Sequence, residues 1–341
     1  MKTIQAADLF CGAGGTSSGL LRAAEGLGLA VNLLAVNHWP AAIATHTLNH
    51  PEARHLCESL SNIRPQEVVP GGELDILTGS PECTHHSRAK GGKPRCPQSR
   101  AGAYHIVDWC SQLRVKNVLV ENVPEFAEWG PLSKAGKPIR SKRGLYFRAW
   151  LQTMQNMGYK IATKVVNCAD YGDPTTRTRL FVLASLERQP EFPAITHPMD
   201  KWIPARSIID WGFKTKSVFN RSRPLANRTI YRIKSGLVEF DGRAFLIKYY
   251  GSEKGGSSLD LPIATITCKD RFALCIPVFD GAAAGRWDVR LRMLQPSELA
   301  RGQGFSKFHM FAGRREEIVK QIGNAVPVNT AAALCRSLLQ H

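Results

Sequence analysis

The sequence lacks any apolar run that approaches the roughly 20 residues needed to cross a bilayer. Its first stretch, MKTIQAADLF, has one lysine but neither a long apolar segment nor a small-residue cleavage site, so it is typical of a first strand. No internal repeat or low-complexity tract is present. We therefore expect an intracellular protein without membrane contact.

Paired cysteine motifs are also missing. The nine cysteines are odd in number and scattered, with no CxxC spacing. This pattern argues against a disulfide framework and against a ribbon-type zinc site. We expect most of the cysteines to be buried thiols and no resident metal ion.

Acidic residues are scarce, with 28 Asp and Glu against 45 Lys and Arg, for a net charge of +17. No acid occurs between Glu128 and Asp170, or between Trp211 and Val238. One such run is typical of a solvated face, but two runs with interleaved aromatic residues favour a groove that follows a phosphate backbone. The basic residues of the two runs are Lys134, Lys137, Arg140, Lys142, Arg143, Arg148, Lys160 and Lys164, then Lys214, Lys216, Arg221, Arg223, Arg228, Arg232 and Lys234.

The first half of the chain alternates short apolar strands with helical patterns, as in TIQAADLF, TSSGLLRAAEGLG and AVNLLAVN. This alternation predicts an α/β fold with a doubly wound, mostly parallel sheet and crossover helices. From about residue 187 the sequence becomes rich in proline, glycine and isolated β-like pieces, which predicts a smaller lobe of strands and loops. The stretch PVNTAAALCRSLLQH predicts a closing helix.

The stretch DLFCGAGGTSSGL predicts a strand, a tight glycine turn and then a helix starting at Thr16 or Ser17. Such a turn allows a ligand to approach the backbone, and a helix N-terminus offers free N–H groups. The spacing misses the GxGxxG pattern, and no acid follows the second strand, where Asn37 and His38 stand. A dinucleotide site is therefore disfavoured.

Cys83, in GSPECTHHS, follows a predicted strand at the edge where open α/β sheets carry their reactive groups. A buried thiol is the default for any cysteine, and a metal site with His85, His86 and Cys96 is a further alternative, although the spacing fits no common zinc pattern. Location favours a nucleophile. Neighbouring Glu82 would oppose formation of the thiolate.

Two further strand ends carry polar groups. Glu121 and Asn122 end the strand NVLVEN, and a carboxyl held there in a dry pocket could donate a proton or a hydrogen bond. Arg177 and Arg179 alternate with threonine in PTTRTRLFVL and so point to one side. We expect thiol, acid and guanidinium to converge at one edge of the sheet.

The ordered blocks DLFCGAGG, GSPEC, ENV, RTR, RMLQPSELARGQGF and QIGNAVPVNTA closely resemble the DNA cytosine-5 methyltransferase family. The resemblance covers residues 7–186 and 290–335. It implies a Rossmann-like methyltransferase sheet in residues 1–186, a target recognition domain in residues 187–289, and a C-terminal segment, residues 290–341, that returns to the catalytic domain.

The resemblance implies that Cys83 adds to C6 of a flipped cytosine and that Glu121 engages N3 and the exocyclic amine. It implies that Arg179, supported by Arg177, holds the O2 side. The methyl group of S-adenosylmethionine then passes to C5. On the substrate side, the implied contacts are Asn122, Ser87, Thr265 and Ile266.

For S-adenosylmethionine, the family pattern implicates Asp8, Phe10, Gly12, Gly14, Trp39 and Asn324. His38 and Ser59 stand where the family has a ribose-binding and an adenine-binding acid. Glu82 replaces the usual proline before the nucleophile, and Thr175 replaces a glutamine. These departures bear on cofactor affinity and on the transferred group.

The leading prediction is a monomeric DNA cytosine-5 methyltransferase that acts on double-stranded DNA, in the cytoplasm of a bacterium or in a phage context, close to the nucleoid. A paired restriction endonuclease is a potential partner. The alternatives are a DNA-binding member of the fold that lacks catalysis and a tRNA cytosine-5 methyltransferase. A nicotinamide oxidoreductase is the least favoured hypothesis.

Overall fold

The computed structural model describes residues 1–81, 102–133, 136–250, 255–280 and 286–340. The predicted nucleophile Cys83 lies outside these ranges. So do Glu82, Ser87 and the alternative metal ligands His85, His86 and Cys96.

The first half of the chain builds a sheet in which seven strands are described, in the order β3-β2-β1-β4-β5-β7-β6. These strands are β1 (Lys2–Leu9), β2 (Leu29–Val36), β3 (Arg54–Leu56), β4 (Glu73–Gly79), β5 (Arg114–Asn122), β6 (Lys160–Asn167) and β7 (Thr178–Ser185). Neighbours from β3 to β5 pair in parallel. The predicted α/β sheet is confirmed.

Strand β7 runs antiparallel to both of its neighbours, with Asn122 of β5 opposite Leu180. Its first residues therefore lie at the edge of the sheet where β1, β4 and β5 end. Parallel pairing would have placed them at the opposite edge. The direction of this one strand brings Arg177 and Arg179 to the end of β5.

Both faces of this sheet are covered, which explains why its strands read as continuous apolar runs. Val118 and Val120 pack into one core cluster, while Leu119 between them packs into another. The helices that follow the strands are α1 (Gly15–Glu25), α2 (Pro40–Asn49), α3 (Pro65–Val68), α4 (Tyr104–Gln112) and α5 (Leu145–Asn156). None of the helices in the described part of the chain is long and apolar enough to span a membrane.

The second half contributes a smaller sheet, whose described strands pair antiparallel in the order β10-β9-β11-β12-β8. These are β8 (Lys216–Ser217), β9 (Phe245–Lys248), β10 (Gly256–Ser258), β11 (Phe272–Asp280) and β12 (Arg286–Met293). This matches the expected β-rich lobe.

A helix in this lobe, α6 (Asn227–Glu239), was not predicted from the sequence. Its buried residues are Thr229, Arg232, Ile233 and Gly236, of which only Ile233 is a large apolar residue. A Cβ atom on Gly236 would lie 2.2 Å from the ring of Phe245. Glycine is therefore required for the close approach of α6 to β9, although it normally weakens a helix.

The chain ends with α7 (Pro296–Gly302), α8 (Arg315–Asn324) and α9 (Val328–Leu339). Helix α9 is the predicted closing helix, and it packs tightly on α1. A Cβ atom on Gly19 would lie 2.6 Å from the Cβ of Ala331. The end of the chain is thus built against the first helix, next to the glycine turn.

Candidate active site

The chain that leads to Cys83 is anchored at the carboxyl edge of the first sheet. The backbone N–H of Ser80 donates to Leu9 O at 3.3 Å. The Asn122 amide donates to the carbonyl oxygen of Pro81 at 3.1 Å, and its own oxygen accepts from the N–H of Val123. Pro81 is the last described residue before Cys83, and it lies between the ends of β1 and β5.

Glu121 and Arg179 form an ion pair at this edge. The Arg179 Nε donates to Glu121 Oε1 at 3.0 Å, and the two side chains are only 14% and 10% exposed. The guanidinium also donates to the carbonyl oxygen of Thr178. A guanidinium is a planar fork of donors, so the pair presents both an acceptor and several donors at one place.

Arg177 has a different position from Arg179. Its side chain is buried, and Nη1 donates to the carbonyl oxygens of Ile266 and Gly323 at 3.1 and 3.0 Å. Burial and the nearby Arg179 charge lower the pKa of Arg177 to about 10, so it stays protonated at neutral pH. Arg177 therefore ties the start of β7 to the segment carrying Thr265 and Ile266 and to the QIGN motif.

Backbone pairing reinforces this connection. The N–H of Thr176 donates to Ile263 O, and the N–H of Ile263 donates to Pro174 O, both at 2.9 Å. Ile266 is buried, whereas Thr265 is half-buried. Thr265 and Ile266, the two predicted substrate-side residues, thus lie in a segment that is held directly against the start of β7.

The glycine turn after β1 adopts left-handed backbone angles, with φ of 64° at Phe10, 54° at Gly12 and 86° at Gly14. A left-handed phenylalanine is uncommon and costs conformational energy, which is a feature of ligand-binding turns. A Cβ atom on Gly12 would meet only Phe10 O, at 3.8 Å. The turn therefore leaves room at Gly12, and helix α1 starts immediately after Gly14.

Asp8 lies beneath this turn and is 1% exposed. Its Oδ2 accepts a hydrogen bond from the Ser17 hydroxyl at 2.6 Å. Burial raises the pKa of Asp8 to about 6, against the opposing effect of its hydrogen bonds. The Asp8 side chain therefore holds Ser17 in the first turn of α1, which begins directly after the glycine turn.

Trp39 follows β2 at the same edge and is half-buried, while His38 is exposed. The ammonium group of Lys320, on α8, lies 4.4 Å from the centre of the Trp39 ring. The Ser59 hydroxyl accepts weakly from the N–H of Ser61, at the start of a short 3₁₀ turn. His38 and Ser59 therefore do not provide the carboxylates that the family pattern has at these two positions.

Asn324 ends α8 and is exposed. Its Oδ1 accepts a hydrogen bond from the thiol of Cys268 at 2.8 Å. This contact is a second link between the QIGN motif and the segment that follows Ile266. Lys320 and Cys268 carried no signal in the sequence because their partners are remote in the chain.

Sequence reasoning also missed three histidines next to the glycine turn, His46, His50 and His55. The available signal was their density in HTLNHPEARH, which holds three of the ten histidines of the protein. No group of metal-ligating side chains that could hold an ion is found among the described residues. These imidazoles contact one another and serine hydroxyls.

The fold and the edge geometry together define a class: a Rossmann-like α/β protein with a glycine turn after its first strand and an acid–guanidinium pair two strands away, at the junction of β5 and β7. The chain matches the family described as C-5 cytosine-specific DNA methylase over residues 4–340. It belongs to this family. The enzyme class predicted from the sequence is thereby confirmed, and membership implies S-adenosylmethionine as the methyl donor.

Known relatives cover nearly the whole chain. The Type II methylase M.HgiDII of Herpetosiphon aurantiacus is 25% identical over 97% of this chain and 94% of its own length. The Type II methyltransferase M.AplI of Arthrospira platensis is 26% identical over 97% and 84%. Among solved structures, a DNMT2 variant of Spodoptera frugiperda has a TM-score of 0.67 at 14% identity, with 99% of this chain and all of that chain covered. This likeness supports the fold.

Proposed function

We propose that the protein transfers a methyl group from S-adenosylmethionine to C5 of a cytosine that is flipped out of double-stranded DNA. The observation that carries the proposal is the Glu121–Arg179 pair, which lies beside the Pro81 exit towards Cys83. A nucleophile, an acid and a guanidinium at one edge suit a ring that is attacked at one carbon while its opposite edge is held.

In the proposed reaction, the Cys83 thiolate forms a bond to C6 and the electron pair of the C5–C6 double bond becomes available at C5. Glu121, carrying a proton for this step, donates to N3 and accepts a hydrogen bond from the exocyclic amine, which draws electron density from C6. C5 takes the methyl group that S-adenosylmethionine supplies when bound, and the electron pair of the broken S–CH3 bond stays on the sulfur of the cofactor product. Loss of the C5 proton to a base then expels the Cys83 sulfur and restores the ring.

Glu121 and Arg179 have complementary parts in this scheme. With its Nε on Glu121, Arg179 still has guanidinium N–H groups to offer to the cytosine O2. Arg177 is proposed to support this arrangement from the interior, since its Nη1 already donates to two carbonyl oxygens. Asn122 contributes by fixing Pro81.

Several features of the chain suit S-adenosylmethionine. Phe10, Gly12 and Gly14 provide an open left-handed turn at a helix N-terminus, and Trp39 offers an aromatic face near the end of β2. We propose that Asn324 contacts the methionine end, that His38 and Ser59 face the ribose and the adenine, and that Asp8 acts from beneath the turn. Without acids at positions 38 and 59, hydroxyl and amino groups of the cofactor lose charge-assisted partners.

The basic residues of the second acid-free run divide into two sets. Arg232 is buried against the Tyr249 ring, and Arg221 donates to Leu291 O, so both serve the lobe itself. The exposed members, which we propose as phosphate contacts, are Lys214, Lys216, Arg223, Arg228 and Lys234. On α6, Arg228 and Lys234 share a face with Tyr231, which is 58% exposed.

We also propose a domain division, a further DNA contact and an oligomeric state. Residues 1–186 would form the catalytic domain, 187–289 the recognition domain with Thr265 and Ile266 at its hinge, and 290–341 the returning segment. Ser87 would contact the DNA from the Cys83 segment. The enzyme is proposed to act as a monomer, and the relatives named Type II point to a cognate restriction endonuclease.

The test is covalent trapping on duplex DNA that contains 5-fluorocytosine, in the presence of S-adenosylmethionine. The fluorine cannot leave as a proton does, so the wild-type protein should accumulate as a protein–DNA adduct. Cys83→Ser should form no adduct yet bind the same duplex. The exposed Cys57→Ser serves as the matched control and should trap normally.

The alternatives give different outcomes. A DNA-binding member of the fold without catalysis would bind the duplex and leave it unmodified, with no adduct for any variant. A tRNA enzyme would transfer labelled methyl groups to tRNA and not to duplex DNA. Either result would overturn the proposal.

A further inference from the structure

A continuous chain of hydrogen bonds runs from the half-exposed His55 to the buried Asp8 beneath the glycine turn. His55 Nε2 lies 2.8 Å from His46 Nδ1, and His46 Nε2 lies 2.9 Å from the Ser17 hydroxyl. That hydroxyl donates to Asp8 Oδ2 at 2.6 Å. The four residues come from β3, α2, α1 and β1, so the chain joins four separate elements.

An ionised Asp8 sets the direction of donation along this chain. Asp8 is an acceptor once it is ionised, which holds at neutral pH because its pKa is about 6. Ser17 has a single proton and gives it to Asp8, so its oxygen must accept from His46 Nε2–H. An imidazole with its proton on Nε2 accepts at Nδ1, and His55 Nε2–H is the donor there.

The environment of His46 keeps it neutral, as this direction requires. Its side chain is fully buried, and burial together with the neighbouring imidazoles lowers its pKa to about 2. The His50 ring centre lies 4.7 Å from that of His46, and burial lowers the pKa of His50 to about 4. All donors in the chain therefore point towards Asp8.

The same histidine cluster touches the glycine turn from outside. His309 Nε2 lies 3.0 Å from Ala13 O, to which it donates, and His50 Nε2 lies 3.1 Å from the Ser18 hydroxyl. A Cβ atom on Gly14 would lie 2.9 Å from His50 Nε2. The imidazoles thus contact both the glycine turn and the first turn of α1.

We propose that His46 is a positioning residue for S-adenosylmethionine binding: through Ser17, it holds the Asp8 carboxylate against the start of α1, directly after the Phe10–Gly14 turn. His46 touches neither the cofactor nor the DNA. Its effect is on the shape of the turn, and hence on cofactor affinity and not on the chemical step. This inference rests on the proposed function, because it assumes that the turn binds S-adenosylmethionine.

Two variants separate this role from simple packing. In His46→Gln, the amide can donate to Ser17 and its oxygen can accept from His55, so the direction of the relay is kept. In His46→Leu, a side chain of similar volume replaces the imidazole and makes neither hydrogen bond. Calorimetric titration with S-adenosylmethionine should show affinity reduced about tenfold or more in His46→Leu and restored to within about threefold in His46→Gln.

At saturating cofactor, kcat and the affinity for DNA should be unchanged in both variants. His197→Leu, on a ring that lies against Gly172 and away from the turn, is the matched control and should bind the cofactor normally. Thermal melting of every variant checks that it is folded. Equal cofactor affinity in His46→Leu and wild type, or equal loss in the leucine and glutamine variants, would overturn the proposal.

A second measurement needs no cofactor. Imidazole ¹⁵N–¹H correlation spectra of the free protein at neutral pH should show His46 neutral, with its proton on Nε2. A proton on Nδ1, or a charged His46, would overturn the relay even if the protein proves to be a methyltransferase. If wild-type protein binds no S-adenosylmethionine, the proposed function and the cofactor role of His46 both fail, while these spectra still decide the relay.

Discussion

The Nε of Arg179 lies 3.0 Å from Oε1 of Glu121, across the junction of two antiparallel strands. Glu121 is the next-to-last residue of β5, and Arg179 is the second residue of β7. The pair is therefore created by the strand direction, which places the end of one strand beside the start of the other. Both side chains are mostly buried, so each depends on the other for compensation of its charge.

We expect Arg179→Lys to lower kcat by about 100-fold while duplex binding stays within a few-fold of wild type. Lysine keeps the charge but loses the planar fork that can hold Glu121 and a cytosine oxygen together. Methyl transfer under saturating cofactor and DNA measures the effect, and thermal melting checks the fold. A lysine variant with wild-type kcat would show that the fork is not needed.

The stability contribution of Asp8 should depend on pH. The folded protein keeps the Asp8 proton up to a pKa of about 6, whereas the model value for the unfolded chain is 3.8. The contribution is therefore complete below pH 3.8 and is lost as the pH rises through about 6. Relative to Asp8→Asn, which does not titrate, the wild-type free energy of unfolding should fall by about 3 kcal/mol across this range. Urea unfolding at a series of pH values measures both proteins, and a constant difference would contradict the prediction.

Glu298→Gln should lower the free energy of unfolding by about 3–5 kcal/mol, because it leaves a buried guanidinium uncompensated. Arg292 on β12 donates to both oxygens of Glu298 on α7 at 2.7 Å, and the two side chains are 6% and 0% exposed. The exposed pair Arg206–Asp260 is the matched control, and Asp260→Asn should cost less than about 1 kcal/mol. Urea unfolding distinguishes the two, and similar costs would show that burial of the pair is unimportant.

Removal of the exposed charges on α6 should weaken DNA binding with little dependence on sequence. Arg228→Ala and Lys234→Ala should each reduce the slope of log affinity against log salt by about 1. The control is Arg64→Ala, which should leave the slope unchanged. Arg64 is exposed and pairs with Glu67. Binding of a duplex measured by fluorescence anisotropy at several salt concentrations provides the slopes. Unchanged slopes for the α6 variants would remove this face from the DNA interface.

Most of the first sheet could be predicted from the sequence, because its strands are short apolar runs bounded by glycine and polar residues. The antiparallel direction of β7 could not, since RLFVLASL is equally apolar on both faces and pairing direction is a non-local property. Helix α6 escaped prediction for the opposite reason. Of its four buried residues, Thr229, Arg232, Ile233 and Gly236, only Ile233 is a large apolar residue.

The candidate site was predictable in its chemistry and not in its contacts. The residue types at positions 121, 177 and 179 indicated an acid and two guanidinium groups, and the motif order indicated the family. Nothing local indicated that Arg179 pairs with Glu121 while Arg177 binds the carbonyl oxygens of Ile266 and Gly323. His46, His50 and His55 form a dense stretch in the sequence, but no local pattern indicated their role next to the glycine turn.

The sequence by itself determined the fold class, the family and the set of reactive groups, because apolar periodicity, glycine turns and motif order are local properties of the chain. The tertiary structure alone decided which groups meet and in which state of protonation. It placed β7 antiparallel, which brought a guanidinium to the end of β5, and it buried Asp8 and His46, which moved their pKa values in opposite directions. Contact and desolvation both depend on residues that are distant in the chain, so no local pattern contains them.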